Sequence, residues 1–172
     1  MKIRQEKPSN YIEVYELVKI SFATNSDDDG TTSDYLNEIR KKDTFIPELS
    51  LVAEGDNGKI IGQIVLYKMV IDTKNEKIVE LLLSPICVHP EYFRKGIARM
   101  MIEKVFNIAK IMGYKAVFLC GNPELYKKFG FKPSFEYNIF HINDESKNAE
   151  WCMAYELVEG SLNGIIGTVD IV

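Results

Sequence analysis

The chain has 172 residues, 46% of them hydrophobic and 27% charged, with a formal net charge of -4. These values are typical of a folded globular protein and exclude a disordered or collagen-like chain. The acidic balance argues against a nucleic-acid partner bound through bulk positive charge, and no apolar run approaches the roughly 20 residues of a membrane helix. We therefore expect one domain over residues 1–172, with neither nucleic acid nor a membrane as partner.

The cysteines indicate a reducing compartment. Cys87, Cys120 and Cys152 are odd in number, widely separated and set in apolar runs, without a C-x-x-C motif. This pattern favours buried free thiols over a disulfide framework and predicts a cytoplasmic protein. The first residues also lack the apolar core of a secretory signal. Only two histidines are present, so no metal site is expected.

The first half of the chain predicts a short strand, two helices and a β-hairpin. Apolar residues recur at helical spacing over residues 11–23, and Asn10 and Glu13 are spaced as a capping box at the start of this helix. The Asn57-Gly58 pair is typical of a tight hairpin turn between two strands. The second of these strands is apolar nearly throughout, which predicts burial on both faces. In chain order, the expected elements are strand 3–4, helices 11–23 and 33–42, and strands 50–54 and 60–71.

The second half predicts strands alternating with helices. Pro85 lies inside a long strand, where it cannot donate a ladder hydrogen bond and must interrupt pairing. A helix with one apolar stripe follows and ends at Gly113, and Asn122 and Gly130 suit the start and end of a shorter helix. The order of elements predicts an α/β fold with a mixed sheet and helices on its faces. The expected elements are strand 77–88, helix 96–112, strand 116–120, helix 123–130 and strand 151–157, the last paired with residues 135–140.

The start of the long helix has the character of an anion site. The first amides of a helix lack internal partners and lie at the positive end of its dipole, so a pyrophosphate fits there. Gly96 allows the backbone a close approach, and Ala98 keeps the next turn small. Arg94, Lys95 and Arg99 add positive charge, and residues 91–115 hold six Lys or Arg against two Glu. A basic, solvated helix start is the alternative interpretation of the same residues.

Two motifs resemble a known family. Residues 86–98, Ile-Cys-Val-His-Pro-Glu-Tyr-Phe-Arg-Lys-Gly-Ile-Ala, resemble the acetyl-coenzyme A (acetyl-CoA) signature of the GNAT N-acetyltransferase superfamily. Residues 122–131, Asn-Pro-Glu-Leu-Tyr-Lys-Lys-Phe-Gly-Phe, resemble the second family motif, and the end of the chain looks like a bacterial subgroup of predicted N-acetyltransferases. The resemblance implies a GNAT-type fold, with a mixed, mostly antiparallel, twisted sheet of about six or seven strands and about four helices.

The resemblance also implies where the co-substrate acetyl-CoA is held. In the family, a strand that splays from its neighbour pairs with the pantetheine arm, and the helix start binds the pyrophosphate. Phe93 is a departure, because the family usually has Gln or Arg there, and we expect altered phosphate contacts without loss of the site. The implied coenzyme-binding residues are Ile86, Cys87, Val88, Phe93, Arg94, Lys95, Gly96, Ile97, Ala98, Arg99, Asn122 and Tyr126.

Tyr126 is the candidate general acid. A phenol with an ordinary pKa near 10 stays protonated at neutral pH and can protonate a leaving thiolate, and the family places a tyrosine of this motif near the coenzyme sulfur. Packing of the short helix is the alternative role for Tyr126, as helix capping is for Asn122. Glu80 is the candidate base, acting through water, with a structural carboxylate as the alternative. Cys87 and Cys120 have no evident base partner, so direct transfer is preferred over an acyl-cysteine.

The resulting prediction is an N-acetyltransferase that moves an acetyl group from acetyl-CoA to a primary amine by direct attack in a ternary complex. The alternative is a non-catalytic acyl-CoA-binding or sensing domain. The acceptor, a small molecule or a protein amino group, is left open by the sequence, and the family makes a homodimer an expectation. Asp27, Asp28 and Asp29 lie in a polar loop near the expected acceptor site, where they would favour a cationic amine or simply be solvated.

Overall fold

The computed structural model describes residues 1–26 and 28–172, and these residues form two compact units. The first unit comprises Met1–Tyr67 and Ser84–Ile108, and the second comprises Lys68–Leu83 and Ala109–Val172. The expectation of one domain over residues 1–172 stays a prediction. Asp27 lies outside the described residues.

The described residues form four α-helices, as expected, and nine strands, more than the six or seven expected. The helices are α1 (Tyr11–Phe22), α2 (Thr32–Ile39), α3 (Ile97–Ile111) and α4 (Pro123–Tyr126). The strands are β1 (Lys2–Gln5), β2 (Phe45–Glu54), β3 (Ile60–Thr73), β4 (Lys77–Val88), β5 (Ala116–Cys120), β6 (Lys132–Pro133), β7 (Ile139–His141), β8 (Cys152–Glu156) and β9 (Gly167–Val169). Among the described helices, none combines the length and apolar character needed to cross a membrane.

The first unit is built on an antiparallel sheet of β1, β2 and the first part of β3. The turn between β2 and β3 has the expected geometry, since Gly58 has φ 80° and donates to the carbonyl of Gly55 at 2.9 Å. All residues of β3 from Ile60 to Tyr67 are buried, which confirms the predicted burial on both faces.

Helices cover both faces of this sheet. Val52 and Val65, on one face, belong to a hydrophobic cluster with residues of α1 and α2. Residues an odd number apart in a strand point to opposite faces, and accordingly Gly62 lies against α3. A Cβ at Gly62 would lie 3.0 Å from Cε of Met101. The glycine therefore lets α3 pack close to β3.

The second unit contains a mixed sheet in the order β4-β5-β8-β6. β4 pairs in parallel with β5 through Leu81 and Leu82, both of which precede Pro85. β8 pairs antiparallel with β5 and with β6. β9 pairs antiparallel with the end of β3 and in parallel with β7.

Two expectations about strands are wrong. β2 begins at Phe45 rather than at residue 50, and its register with β3 is irregular between Phe45 and Ser50. Pro47 lies in this stretch and cannot donate a ladder hydrogen bond, which hides the strand from a pattern search. Residues 135–140 do not pair with β8, because Ser134–Tyr137 forms a 3-10 turn and β7 pairs with β9.

The expected capping box at α1 is also wrong. Asn10 precedes the helix, but its side-chain oxygen accepts hydrogen bonds from the amide of Lys7 at 3.1 Å and from Arg4 at 3.0 Å. The carboxylate of Glu13 accepts from the amide of Ile60 at 2.8 Å. Asn10 is bound by residues of the preceding turn, and Glu13 by a residue distant in sequence, so neither side chain caps α1.

Candidate active site

The loop before α3 adopts an unusual backbone. After β4, His89 caps a 3-10 turn, with its Nδ1 accepting from the amide of Glu91 at 3.2 Å. Arg94 and Gly96 both have positive φ, 62° and 77° respectively. A non-glycine residue such as Arg94 rarely adopts this conformation, and strain of this kind is often found at functional sites.

The first amides of α3 lack partners among the residues that the structure describes. Across the described residues, none accepts a main-chain hydrogen bond from the amides of Gly96, Ile97 and Ala98. The first turn contains no acidic side chain, while Arg94, Lys95 and Arg99 bring positive charge. A Cβ at Gly96 would meet no atom within 4 Å, so the space beside this glycine is open. The start of α3 therefore has the dipole and the charge that suit an anion.

The end of β4 leads into this loop. Cys87 is buried, Ile86 and Val88 are partly buried, and His89 fixes the strand end by donating its amide to the carbonyl of Ile61 at 2.8 Å. Burial raises the pKa of the Cys87 thiol to about 12, although hydrogen bonds from Ser21 and from the main chain of Gln63 act in the opposite direction. Cys87 therefore stays protonated at neutral pH, which does not suit an acyl-accepting nucleophile.

The side chain of Phe93 is half exposed, with 50% of its surface accessible. It precedes the left-handed Arg94 and follows the 3-10 turn. The main chain of residues 94–98 presents its amides whatever side chain stands at position 93. The expectation that Phe93 alters the phosphate contacts without loss of the site stays a prediction.

Tyr126 ends α4, whose start is closed by the expected cap. Oδ1 of Asn122 accepts the amide of Glu124 at 3.0 Å, and Gly130 ends the following turn with φ 92°. The Tyr126 ring packs on the main chain of Gly121, where an added Cβ would lie only 2.6 Å from Cε2 of the ring. It also meets the Phe131 ring edge-on at 6.0 Å. Burial raises the pKa of Tyr126 to about 12, so the phenol is fully protonated at neutral pH.

Glu80 is buried and held by the main chain at the start of β5. Its Oε2 accepts the amides of Lys115 at 2.9 Å and Ala116 at 3.1 Å. Burial raises the pKa of this carboxyl, and the two hydrogen bonds only partly offset the shift. The two hydrogen bonds therefore support a structural role for Glu80, the alternative to a catalytic base. The raised pKa also makes Glu80 a stronger base than an exposed glutamate.

The predicted site residues are divided between the two units. The coenzyme residues from Ile86 to Arg99 belong to the first unit, whereas Glu80, Asn122 and Tyr126 belong to the second. Their assigned roles stay predictions.

A cavity of about 230 Å³ lies beside α1 in the first unit. Its lining includes Val18, Phe22 and Asp28. The Asp28 carboxylate accepts the amide of Gly30 at 3.0 Å and the hydroxyl of Thr32, and Asp29 accepts the amide of Thr31 at 3.0 Å. Both aspartates therefore stabilise their own loop through hydrogen bonds. Asp28 also borders a cavity that is large enough for a small amine.

Gln63 is a polar residue that the sequence reasoning missed. Its side chain is fully buried, and neither Oε1 nor Nε2 has a hydrogen-bond partner in the part of the chain that the structure describes. Buried amides without partners are rare and costly. The sequence signal that could have identified Gln63 is its single amide side chain within the apolar run from Ile60 to Leu66.

Comparison with known proteins agrees with these features. A family model described as an acetyltransferase (GNAT) domain matches residues 2–134. YhbS of Escherichia coli K12, named as an uncharacterized N-acetyltransferase, is 26% identical over 170 residues, which cover 99% of this chain and 95% of YhbS. YjhQ of the same strain, named likewise, is 27% identical over 101 residues, which are 59% of this chain and 55% of YjhQ.

Two solved structures are similar over almost the whole chain. The crystal structure of E. coli YhbS in complex with CoA has a TM-score of 0.84 at 25% identity, covering 99% of this chain and 89% of that one. A GNAT family acetyltransferase from Brucella melitensis, solved with acetyl-CoA, has a TM-score of 0.78 at 20% identity, covering 99% and 95%. These similarities confirm the mixed α/β fold, and the family model spans most of the sequence. The chain belongs to the GNAT acetyltransferase family.

Proposed function

We propose that this protein is an N-acetyltransferase that moves an acetyl group from acetyl-CoA to a primary amine of a small molecule or a protein. The open start of α3 carries the proposal, because its unpaired amides, its two left-handed residues and its basic side chains together suit a diphosphate. The CoA in the YhbS structure and the acetyl-CoA in the Brucella structure support the same ligand here.

The residues of the first unit fit this co-substrate. We assign the pyrophosphate to the amides of residues 94–98, with the charges of Arg94, Lys95 and Arg99 and with Phe93 at the border. The main chain of Ile86, Cys87 and Val88 would pair with the pantetheine arm as an added strand. The side-chain amide of Asn122 is the remaining candidate contact to the pantetheine, since its Oδ1 already caps α4.

The chemistry proposed is direct attack by the amine on the thioester carbonyl. Tyr126 would donate its phenolic proton to the departing thiolate, because the phenol is protonated at neutral pH. Burial raises its pKa to about 12, which makes it a weaker acid than an exposed tyrosine. Glu80 would accept, through water, the proton that the ammonium group must lose. The high pKa of Cys87 supports transfer without an acyl-cysteine.

The acceptor side is proposed to be the cavity beside α1. Asp28 at its border would favour a cationic amine, against the charge of Lys19, which also lines the cavity. Asp29 lies in the same loop. The asparagine variant of both positions should raise KM for polyamine or aminoglycoside acceptors with little change in kcat. An unchanged KM would remove this part of the proposal. We place the reaction in the cytoplasm, which suits three cysteines that are free thiols.

The decisive experiment has two steps on the same preparation. Calorimetry should detect binding of CoA and acetyl-CoA to the full chain, and a thiol assay with an amine library should then detect release of free CoA. Binding without any acceptor-dependent release would support the non-catalytic acyl-CoA-binding alternative. Folded protein that gives no heat of binding with either ligand would refute both.

A further inference from the structure

Two free cysteines face each other across the β5–β8 ladder. Cys120 is the direct partner of Cys152 in the antiparallel register. The neighbouring pair, Gly121 and Trp151, is hydrogen-bonded, because Gly121 donates its amide to the carbonyl of Trp151 at 2.9 Å. At the other end of the ladder, Leu157 donates its amide to the carbonyl of Lys115 at 2.8 Å, so this pair is hydrogen-bonded as well. Hydrogen-bonded and non-hydrogen-bonded pairs alternate along such a ladder, so Cys120 and Cys152 form a non-hydrogen-bonded pair.

This position brings the two thiols within bonding reach. The Cα atoms of a non-hydrogen-bonded pair are about 4.5 Å apart, and disulfides span Cα separations of roughly 4.4 to 6.8 Å. The cysteines can therefore be bridged with little backbone movement.

The surroundings divide the two sulfurs into different chemical roles. Cys152 is 1% exposed, and its Sγ accepts the hydroxyl of Ser134 at 3.2 Å. The hydrogen bond that Cys120 donates lowers the pKa of the Cys152 thiol and raises that of the Cys120 thiol. The hydroxyl of Ser134 also lowers the pKa of Cys152, while burial and Asp144 act in the opposite direction. Cys120 is partly exposed at the strand end. Cys120 is thus the sulfur that a solute can reach, and Cys152 is the more acidic thiol behind it.

We propose that Cys120 and Cys152 are a redox-responsive pair that closes to a reversible cross-strand disulfide when the protein meets a peroxide. Cys152, once its own proton has passed to the solvent, takes the proton of Cys120. The Cys120 sulfur then attacks one peroxide oxygen and becomes a sulfenic acid, while the other oxygen leaves as water after taking a proton from the solvent. The Cys152 sulfur then attacks the sulfenic sulfur, and a second water leaves. Two thiols and one hydrogen peroxide thus give one disulfide and two waters.

The bridge would lock the end of the ladder that carries α4. Gly121 follows Cys120 directly, and the Tyr126 ring packs on its main chain. Gly121 also holds Trp151, the residue before Cys152, through its amide. Oxidation would therefore reduce opening of this strand end, because the covalent bond prevents the two strands from separating.

The test is mass spectrometry of the full chain after treatment with hydrogen peroxide and alkylation under denaturing conditions. We expect one cross-link that joins the peptides of Cys120 and Cys152, a mass loss of two hydrogens, and full reversal by dithiothreitol. Thermal unfolding of the oxidised protein should occur about 5 °C or more above that of the reduced protein. Recovery of both cysteines as alkylated thiols, or of Cys120 as an over-oxidised acid beside alkylated Cys152, would overturn the proposal.

Variants identify the pair. Cys120→Ser should abolish the cross-link and the peroxide-induced shift in unfolding temperature, and it changes a partly exposed side chain that the fold tolerates more easily than a core position. Cys87→Ala is the matched control, because it removes the third thiol and should leave the cross-link intact. A cross-link that persists in Cys120→Ser, or that vanishes in Cys87→Ala, would show that another pairing is responsible.

Discussion

The starts of α3 and α4 differ in how their first amides are satisfied. At α4, Asn122 accepts the amide of Glu124 at 3.0 Å, and Glu124 itself places an acidic group in the first turn. At α3, the amides of Gly96, Ile97 and Ala98 have no main-chain partner in the described chain, and the first turn holds no acid. One helix start is thus closed by its own sequence, whereas the other keeps its donors and its positive dipole for an anion.

The largest expected effect comes from closing the open helix start. In Gly96→Asp, the carboxylate lies at the first amides of α3, where it can cap them and repel a diphosphate, and Asp tolerates the left-handed backbone better than most residues. We expect CoA affinity to fall by about 100-fold. Isothermal titration calorimetry with CoA measures this change.

Gly58→Asp is the matched control for that variant. Gly58 has φ 80°, close to the 77° of Gly96, and a Cβ at either glycine would meet no atom within 4 Å. Backbone strain and added charge are therefore similar in the two variants, but Gly58 lies in the β2–β3 turn. A loss of CoA affinity that is equal in both variants, or absent from Gly96→Asp, would contradict the assignment of the anion site.

The second prediction concerns the closed helix and the residue it carries. Tyr126→Phe keeps the ring that packs on Gly121 and Phe131 and removes only the phenolic proton. We expect kcat to fall at least about tenfold, with CoA affinity nearly unchanged, because general acids commonly contribute such factors or more. Steady-state kinetics with the best amine acceptor and calorimetry with CoA separate the two quantities.

Tyr137→Phe is the control for removal of a phenol in the same unit. Burial raises the pKa of Tyr137 as it does that of Tyr126, but Tyr137 belongs to no family motif. Its variant should keep the wild-type kcat. Unaltered kinetics in Tyr126→Phe would leave this tyrosine with a packing role alone.

The two helix starts also show how far sequence reasoning reaches. Gly96, Asn122 and Gly130 act through their own neighbours, so local chemistry predicted their structure correctly. Asn10 and Glu13 formed an equally good local pattern, but Arg4 binds the side chain of Asn10, and Ile60, distant in sequence, binds that of Glu13. Local signals fail where a contact from elsewhere in the chain supplies a better partner.

The same distinction applies to the candidate site. The residues at the start of α3 could be predicted from one continuous segment of the sequence, because they all belong to one loop and one helix. The hydrogen bonds of Glu80 could not be predicted in this way, since its partners Lys115 and Ala116 lie at the start of a different strand. The unpaired amide of Gln63 was hidden for a further reason, because an apolar run indicates burial but not which polar atoms lack partners.

The third prediction tests the cap that closes α4. Asn122→Ala leaves the amide of Glu124 without its acceptor and should lower the free energy of unfolding by about 1 kcal/mol. Asn122→Asp restores an oxygen at the same place and should recover most of that stability. Urea unfolding of the three proteins provides the measurement. Equal stability of the alanine and aspartate variants would show that the cap contributes nothing.

The smallest expected effect concerns Glu80, whose buried carboxylate accepts hydrogen bonds from main-chain amides. Glu80 accepts two amides at the start of β5, and burial raises the pKa of its carboxyl in the folded protein above its ordinary value. A group with a raised pKa binds its proton more tightly in the folded state than in the unfolded state. Its contribution to stability is therefore present at low pH and is lost as the pH rises through the folded pKa.

Glu80→Gln removes this titration while keeping a side-chain oxygen to accept the amides of Lys115 and Ala116. Relative to this variant, the wild-type protein should gain stability as the pH falls from 7 toward the unfolded pKa of about 4.3, by less than about 1 kcal/mol. Urea unfolding of both proteins at several pH values gives the difference directly, because titrations shared by the two proteins cancel. A stability difference that does not change with pH, or that becomes smaller toward low pH, would mean that the two amide hydrogen bonds offset or outweigh the effect of burial on the Glu80 pKa. Glu80 would then act only as an acceptor for main-chain amides, as Asn122 does at the start of α4.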